Sequence, residues 1–456
     1  MLSRRFALVG SAHKLFFGPR PSSSCGRSAV VSSSCSPTAA ISCLNQSTIA
    51  APITPVSSTI TSSNNFLQQQ YRTNMTTTIK FNQIIPKPTT TTNNANTTPK
   101  KPLARSSHGL SIIQNGSLLV LYGGEHVART PIEDTNPSQV LWLAKKKKNT
   151  TTTTGGDDAT EDTTADWQWI VPTITTGTSP PARVAHAQAV VNNTTIYIFG
   201  GRNGITMGEN AMNDLWRLEV DSSNDTATWT RVDYTKNEKN DVVVPEARSF
   251  HKMIAIGTNL YVFGGCGAIS GRLNDLWKFD TLTCQWSELG VSQVLRGRGG
   301  PNVLTLNDNK QIAIVAGFAG EETNDGHVYN IIGDNDGGWA EEGMKGLEKM
   351  RPRSVCCFAS LPKVNKCVIF GGEVDPSQKG HEGAGGFERD VVVLDGTSGS
   401  VLENIKPGNE DENWPGNRGW ADATVHEDTF YIFGGLAGDD ASPIRLDDLW
   451  QCQVSP

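Results

Sequence analysis

From residue 105 onward the chain alternates short apolar runs with polar loops, and the same order of parts returns six times. An arginine comes first, at Arg105, Arg183, Arg248, Arg298, Arg353 and Arg418. An apolar run follows and closes on glycine: LYGG (121–124), IFGG (198–201), VFGG (262–265), VAGF (315–318), IFGG (369–372) and IFGG (432–435). Four of the repeats then show NDLW (213–216 and 274–277), HVYN (327–330) or DDLW (447–450). Runs this short, rich in β-branched and aromatic residues and bounded by glycine, read as buried strands. The closing glycines permit the positive φ of a sharp turn. A period of about 50 residues upward is that of one propeller blade, so six repeats predict an all-β, six-bladed propeller over residues 76–456.

A blade cannot bury both faces of its sheet alone, so the stack is stable only as a closed ring. Trp229, Trp286 and Trp339 follow the third-strand segments and are large enough to fill the space between blades. The chain stops at Pro456, directly after the third strand of the last repeat, DDLWQCQV. The alternating segment TIKFNQIIP (78–86) is predicted to supply that blade's fourth strand, closing the ring from the N-terminal side and removing an open sheet edge.

Composition agrees with a turn-rich β protein, with 45 glycines, 23 prolines and only 19% charged residues. A net charge of −6 gives no basic field for nucleic acid or anionic lipid, and no apolar run is long enough to span a bilayer. The nine cysteines lack paired C-x-x-C spacing and read as free thiols of a reducing compartment. Residues 1–75 differ from the rest: no acidic residue precedes Glu125, and Arg4, Arg5, Lys14, Arg20 and Arg27 lie among serines and apolar residues. That is the signature of a disordered leader carrying a mitochondrial or other organelle transit peptide. If translation starts at Met75, the protein is cytoplasmic. Two polar inserts, 89–98 and 145–166, are expected to be unstructured loops.

The candidate chemistry lies mostly in GGEVDPSQKGHEGAGG (371–386), where Glu373, Asp375 and His381 are either a divalent metal site or a solvated loop. Two carboxylates and one imidazole with open positions are the donor set of non-heme ferrous sites. The six recurring arginines head the strands that line a propeller's channel, and two or three of them are expected to be free to grip a sulfate, phosphate or carboxylate. The remainder would pair within their blades. His108, His186 and His251 follow R-x-x-H, a regularity that argues for a repeated structural contact. Glu322, Asp325 and His327 are expected to border the same pocket, and Trp420 is either an aromatic wall for a ligand or a core contact. Nucleotide-binding and serine-hydrolase motifs are absent.

The repeats are of the kelch type, and several stretches are more specific. ARSSHGL (104–110), GFAGEETNDGHVY (317–329), RSVCCFAS (353–360), GGEVDPSQKGH (371–381), NRGWADA (417–423) and RLDDLW (445–450) resemble the plant specifier proteins. That family comprises the epithiospecifier, thiocyanate-forming and nitrile-specifier proteins of glucosinolate breakdown. The resemblance implies a six-bladed propeller that acts with Fe(2+) on the sulfated aglycone released by myrosinase, diverting it from isothiocyanate toward nitrile. It also implies metal ligands in the pattern E-x3-D-x3-H after a Gly-Gly strand end. Glu373 and His381 hold the outer places. The middle place is Ser377, and the aspartate candidate is the displaced Asp375. In this reading Arg105, Arg353 and Arg418 grip the small anionic substrate beside Trp420. The other reading is a non-catalytic kelch module whose loops bind a protein partner.

Overall fold

The computed structural model describes residues 77–93, 96–133, 140–147, 166–236, 239–333, 337–379, 382–408 and 413–456. The leader at 1–75, most of the second insert and His381 lie outside the described residues. Six sheets, antiparallel apart from the edge pair Thr173–Ile174 on Thr226–Arg231, follow one another around a channel, and each inner strand touches those of its two neighbours, the sixth returning to the first. The inner strands are Gly109–Ile113, Ala187–Val191, Lys252–Ile256, Asn302–Leu306, Cys357–Leu361 and Asp422–His426, and they define blades one to six. The sixth sheet is completed by Thr78–Ile84, which runs antiparallel to Pro443–Ser455 with Thr78 opposite Ser455 and Ile84 opposite Leu449. The predicted closure is therefore present. Phe81 anchors it, buried against Phe370 of blade five and Trp414.

The recurring residues explain one another. Two residues after each arginine the chain turns through positive φ, at Ser107, Ala185, Phe250, Gly300, Val355 and Trp420. Only blade four uses glycine there, so five side chains sit in a conformation that costs L-residues about 1–2 kcal/mol each. These six positions join in a closed cycle of backbone hydrogen bonds: Ala185 N–H donates to Ser107, Phe250 to Ala185, Gly300 to Phe250, Val355 to Gly300, Trp420 to Val355 and Ser107 to Trp420, all at 2.8–3.0 Å. A second cycle surrounds it. The second glycine of each strand end, or Gly317 in blade four, donates its N–H to the carbonyl of the next blade's arginine, from Gly124 to Arg183 around to Gly435 to Arg105.

Each arginine side chain then braces its own blade. Arg183, Arg248, Arg298, Arg353 and Arg418 meet Asp214, Asp275, Asp325, Asp390 and Asp448 through two hydrogen bonds each of 2.6–3.0 Å, and donate to a carbonyl at the closing turn. In three blades the same carboxylate accepts the indole N–H of the tryptophan two residues on. Blade one has Val140 where the others have aspartate, and Arg105 donates to the carbonyls of Leu103, Gly123 and Val140. The six guanidiniums are at most 2% exposed. The expectation that some would be free for a ligand is therefore corrected: Arg105, Arg353 and Arg418 are enclosed structural groups, because a buried charge must be matched locally.

Aromatic residues seal the blade interfaces. Trp229, Trp286 and Trp339 reach Tyr122, Phe199 and Phe263 of the preceding blades at ring separations of 4.9, 4.9 and 6.0 Å. His108, His186 and His251 pack edge-on against Phe433, Tyr122 and Phe199, and burial holds all three imidazoles well below the usual histidine range. The first insert is not an unstructured loop: Thr89–Asn93 pairs with Asn96–Lys100 as an antiparallel ribbon, consistent with the β preference of threonine.

The braces predict a stability cost. Arg353→Met, which strands the buried Asp390 carboxylate, is expected to lower unfolding free energy by about 3–5 kcal/mol, whereas Arg353→Met/Asp390→Leu recovers part of that loss. Denaturant midpoints of the two variants check this; equal losses would show that the pair is not coupled.

Candidate functional site

The loops that leave the strand ends surround a cavity of about 460 Å³ at one mouth of the channel. Its floor is built from the inner hydrogen-bonded cycle, since Phe250, Gly300, Val355 and Trp420 all line it. Trp420 stands edge-on to Phe250 at 5.3 Å at the cavity and also packs against Ala384, Phe387 and Leu436, so it makes a core contact while facing the cavity. Phe318 and Met207 extend the apolar lining. At the opposite mouth a cavity of about 430 Å³ contains Lys252 and Asp422, whose charges meet at 3.5 Å.

Sequence reading missed the cations of the first cavity. Arg202, Arg272 and Arg129 line it. Arg202 is only 3% exposed, lies over the Phe250 ring at 5.1 Å, and forms no ion pair among the described residues. Its Nη1 donates to Thr206 O, while its buried Nε has no partner. Burial pulls this guanidinium below its usual range. Arg272 lies over Phe318 at 4.7 Å, likewise without an ion pair among the described residues, and Arg129 reaches Glu382 at 3.3 Å. Glu125 and Glu209 act on Arg202 at longer range, and a buried positive charge with no carboxylate in direct contact keeps donors for an anion. The signal in the sequence was the arginine directly after a Gly-Gly strand end, GGR at 200–202, outside the repeated arginine column.

The carboxylates occupy another wall. Glu373 lines the cavity, 7% exposed, on a short strand bridged to Ser354. Burial, with Asp440 nearby, pushes its carboxyl up to about 7. Behind it Glu322 accepts from Ser354 Oγ at 3.2 Å, and its other oxygen is buried without a partner. Burial and the neighbouring Glu373 and Asp375 charges raise Glu322 to about 8, against the hydrogen bond from Ser354. Asp325 and His327 do not share this pocket: Asp325 braces Arg298, and His327 bonds Ser292 and Ala340 while stacked on Trp339.

Asp375 departs from the expected donor set. Both its oxygens accept from Arg351 Nη2, at 2.8 and 2.9 Å, on an exposed surface outside the cavity. Among the described residues no three Asp, Glu, His or Cys side chains converge as a metal site. The set Glu373, Asp375 and His381 therefore fits a ferrous ion at Glu373 alone among the residues described. Glu373 accepts from Ser377 N, and Asp375 is committed to Arg351.

Comparison with known proteins agrees with this architecture. The KLHDC2/KLHL20/DRC7 Kelch-repeats domain matches residues 146–372. The chain is 29% identical over 346 residues to N-(sulfonatooxy)prop-2-enimidothioate sulfolyase of Thlaspi arvense, covering 71% of this chain and 85% of that protein. It is 27% identical over 223 residues to Kelch domain-containing protein 3 of Bos taurus, spanning 53% of that protein's length. The solved structure of YjhT superposes with a TM-score of 0.50 at 14% identity, over 78% of this chain and 99% of that one, which shows the fold alone. The chain is a six-bladed β-propeller whose residues 146–372 match a kelch-repeats domain, and it is similar to a plant sulfolyase.

The raised Glu373 carboxyl has a consequence for stability. Its folded value lies above the ordinary glutamate value of 4.5, so the folded state binds more protons between those limits and loses stability as pH rises through about 7. In chelator-treated protein, Glu373→Gln is expected to be neutral at pH 4 and stabilising at pH 8, by up to about 3 kcal/mol. Thermal melts across that range check it; a variant with an unchanged pH profile would refute the raised value.

Proposed function

We propose that this kelch-repeat propeller is a specifier-like protein whose loop-side cavity takes a small sulfated thiohydroximate and steers its breakdown toward nitrile. The observation that carries the reading is Arg202, a nearly enclosed guanidinium facing the cavity with no carboxylate partner among the described residues. The similarity to a sulfolyase named for a sulfonatooxy imidothioate supports the same substrate class.

The residues divide the work by chemistry. Arg202, with Arg272 and Arg129 at the rim, holds the sulfate and stabilises the charge that grows as it departs. In nitrile formation the N–O bond breaks with its electron pair on sulfate. The C–S pair moves into the carbon–nitrogen bond, and sulfur leaves in the elemental state. The competing isothiocyanate requires the substrate side chain to migrate from carbon to nitrogen. A wall of Phe250, Phe318 and Trp420 that holds this side chain in place disfavours migration, and its apolar surface excludes water. A ferrous ion, when bound beside Glu373, supplies a Lewis-acidic centre with affinity for sulfur.

A protein-docking face is the second reading. It is favoured by apolar side chains at the tips of the surrounding loops: Val127, Ile205, Met207, Ile269 and Ile444 are each more than half exposed. Calorimetric titration separates the two. Inorganic sulfate and an S-alkylated sulfated thiohydroximate, which cannot expel sulfur, are expected to bind the wild type. Arg202→Gln and Arg272→Gln each weaken binding by 10-fold or more, about 1.5–3 kcal/mol for a lost charge-assisted hydrogen bond. Wild-type protein that binds neither anion would remove the specifier reading and leave the docking face.

A further inference from the structure

The residue directly after the closing glycines holds the same place in every blade. It pairs across to the residue that follows the blade's arginine, as Arg202 does with Val184 and Cys266 with Ser249. In blades two to five this position is Arg202, Cys266, Phe318 and Glu373, and all four line the loop-side cavity. A cation for the sulfate, an aromatic wall and a carboxylate are thus joined by a thiol that the reading above does not use. Cys266 is the one cysteine of the lining, a free thiol, and stands opposite Arg272 on the neighbouring strand. Cys356, Cys367 and Cys452 donate to backbone carbonyls, whereas Cys266 makes no hydrogen bond among the described residues. Gly299 beside it brings no side chain: a Cβ there would lie 3.3 Å from the sulfur. Independently of the cysteine, the nearly enclosed Arg202 with its unpartnered Nε marks this cavity as a place for a ligand.

We infer that Cys266 accepts the sulfur atom expelled in nitrile formation and becomes a persulfide. The inference rests on the specifier reading of the cavity and adds the fate of its sulfur. Burial, opposed by Arg272 and Arg202, raises the Cys266 pKa, so the group enters the reaction as a thiol. Its proton passes to the thiolate sulfur of the bound thiohydroximate, and the two arginines stabilise the cysteine thiolate that results. Cys266 Sγ then attacks the substrate sulfur. An S–S bond forms, the C–S bond breaks and its electron pair completes the nitrile, while the N–O bond breaks with its pair on sulfate. The N–O bond is the oxidant: nitrogen gains the two electrons that the two sulfurs lose. Products are Cys266–S–SH, nitrile and sulfate, with no proton or charge unaccounted for. A small soluble thiol then removes the outer sulfur as its own persulfide and restores Cys266 for another turnover.

The test supplies full-length protein with Fe(2+), under anaerobic conditions, with an alkyl sulfated thiohydroximate released in situ from its S-glucoside by a thioglucosidase. Without added thiol, wild type is expected to gain the mass of one sulfur, mapped to Cys266 by alkylation and peptide mass spectrometry, and glutathione should then raise nitrile yield. Cys266→Ser should gain none and lose nitrile formation by about 10-fold or more, while binding inorganic sulfate as wild type does. Cys284→Ser, altered away from the cavity, should behave as wild type in both respects, and circular dichroism checks the fold of each variant. Nitrile formed by wild type with no sulfur on Cys266, or at the wild-type rate by Cys266→Ser, would overturn the inference and leave the specifier reading standing. Wild type that makes no nitrile at all would remove both.

Discussion

The structure depends on two concentric cycles of backbone hydrogen bonds that pass once around the channel. Each blade donates to one neighbour and accepts from the other, so no blade can shift without breaking bonds on both sides. The inner cycle demands positive φ at six positions, five of them occupied by ordinary L-residues. A single hydrogen bond nets about 1 kcal/mol, comparable to the strain of one such residue, so the cycle holds only because neighbouring groups over-determine it. The buried arginines are those groups. Each fixes its own strand start through a carbonyl two residues back and, in blades two to six, the facing strand through an aspartate.

That scaffold places the chemistry. Residues two positions after the arginines are presented to the channel by a rigid backbone, which is why Phe250 and Trp420 form a firm floor. The loops beyond the glycine pairs are free of the cycles and carry the charges: Arg202 and Arg272 on one side, Glu373 on another. Function on loops, precision from the ring beneath them, is the division expected of a propeller. The cavity that results is apolar at its base and charged on its walls. It suits a small molecule with an anionic head and an apolar tail.

The repeat and its closure were legible because burial forces them on the sequence. Apolar runs that end in glycine are buried strands that turn sharply at their ends, and an alternating segment such as TIKFNQI has one open edge to join. The arginines were visible but misjudged. Arg248 and its partner Asp275 are 27 residues apart, and Arg353 and Asp390 are 37, so pairing depends on a register that local pattern does not express. The first insert was misread for a related reason, since polar composition forbids a core but permits a ribbon of paired threonines.

At the candidate site the division is sharper. The amino-acid sequence by itself determined the strand repeat, the number of blades, the N-terminal closing strand and Glu373 as the carboxylate after a Gly-Gly end, because each follows from periodicity or from a local motif. Tertiary structure alone decided which charges face the cavity. It committed Arg105, Arg353 and Arg418 to the blade interiors, gave Asp375 to Arg351, left Arg202 without an ion pair among the described residues and brought Asp440 to Ser377 from the next blade. Whether a charge is available to a ligand depends on what lies within about 4 Å of it. In a closed ring those neighbours come from distant parts of the chain.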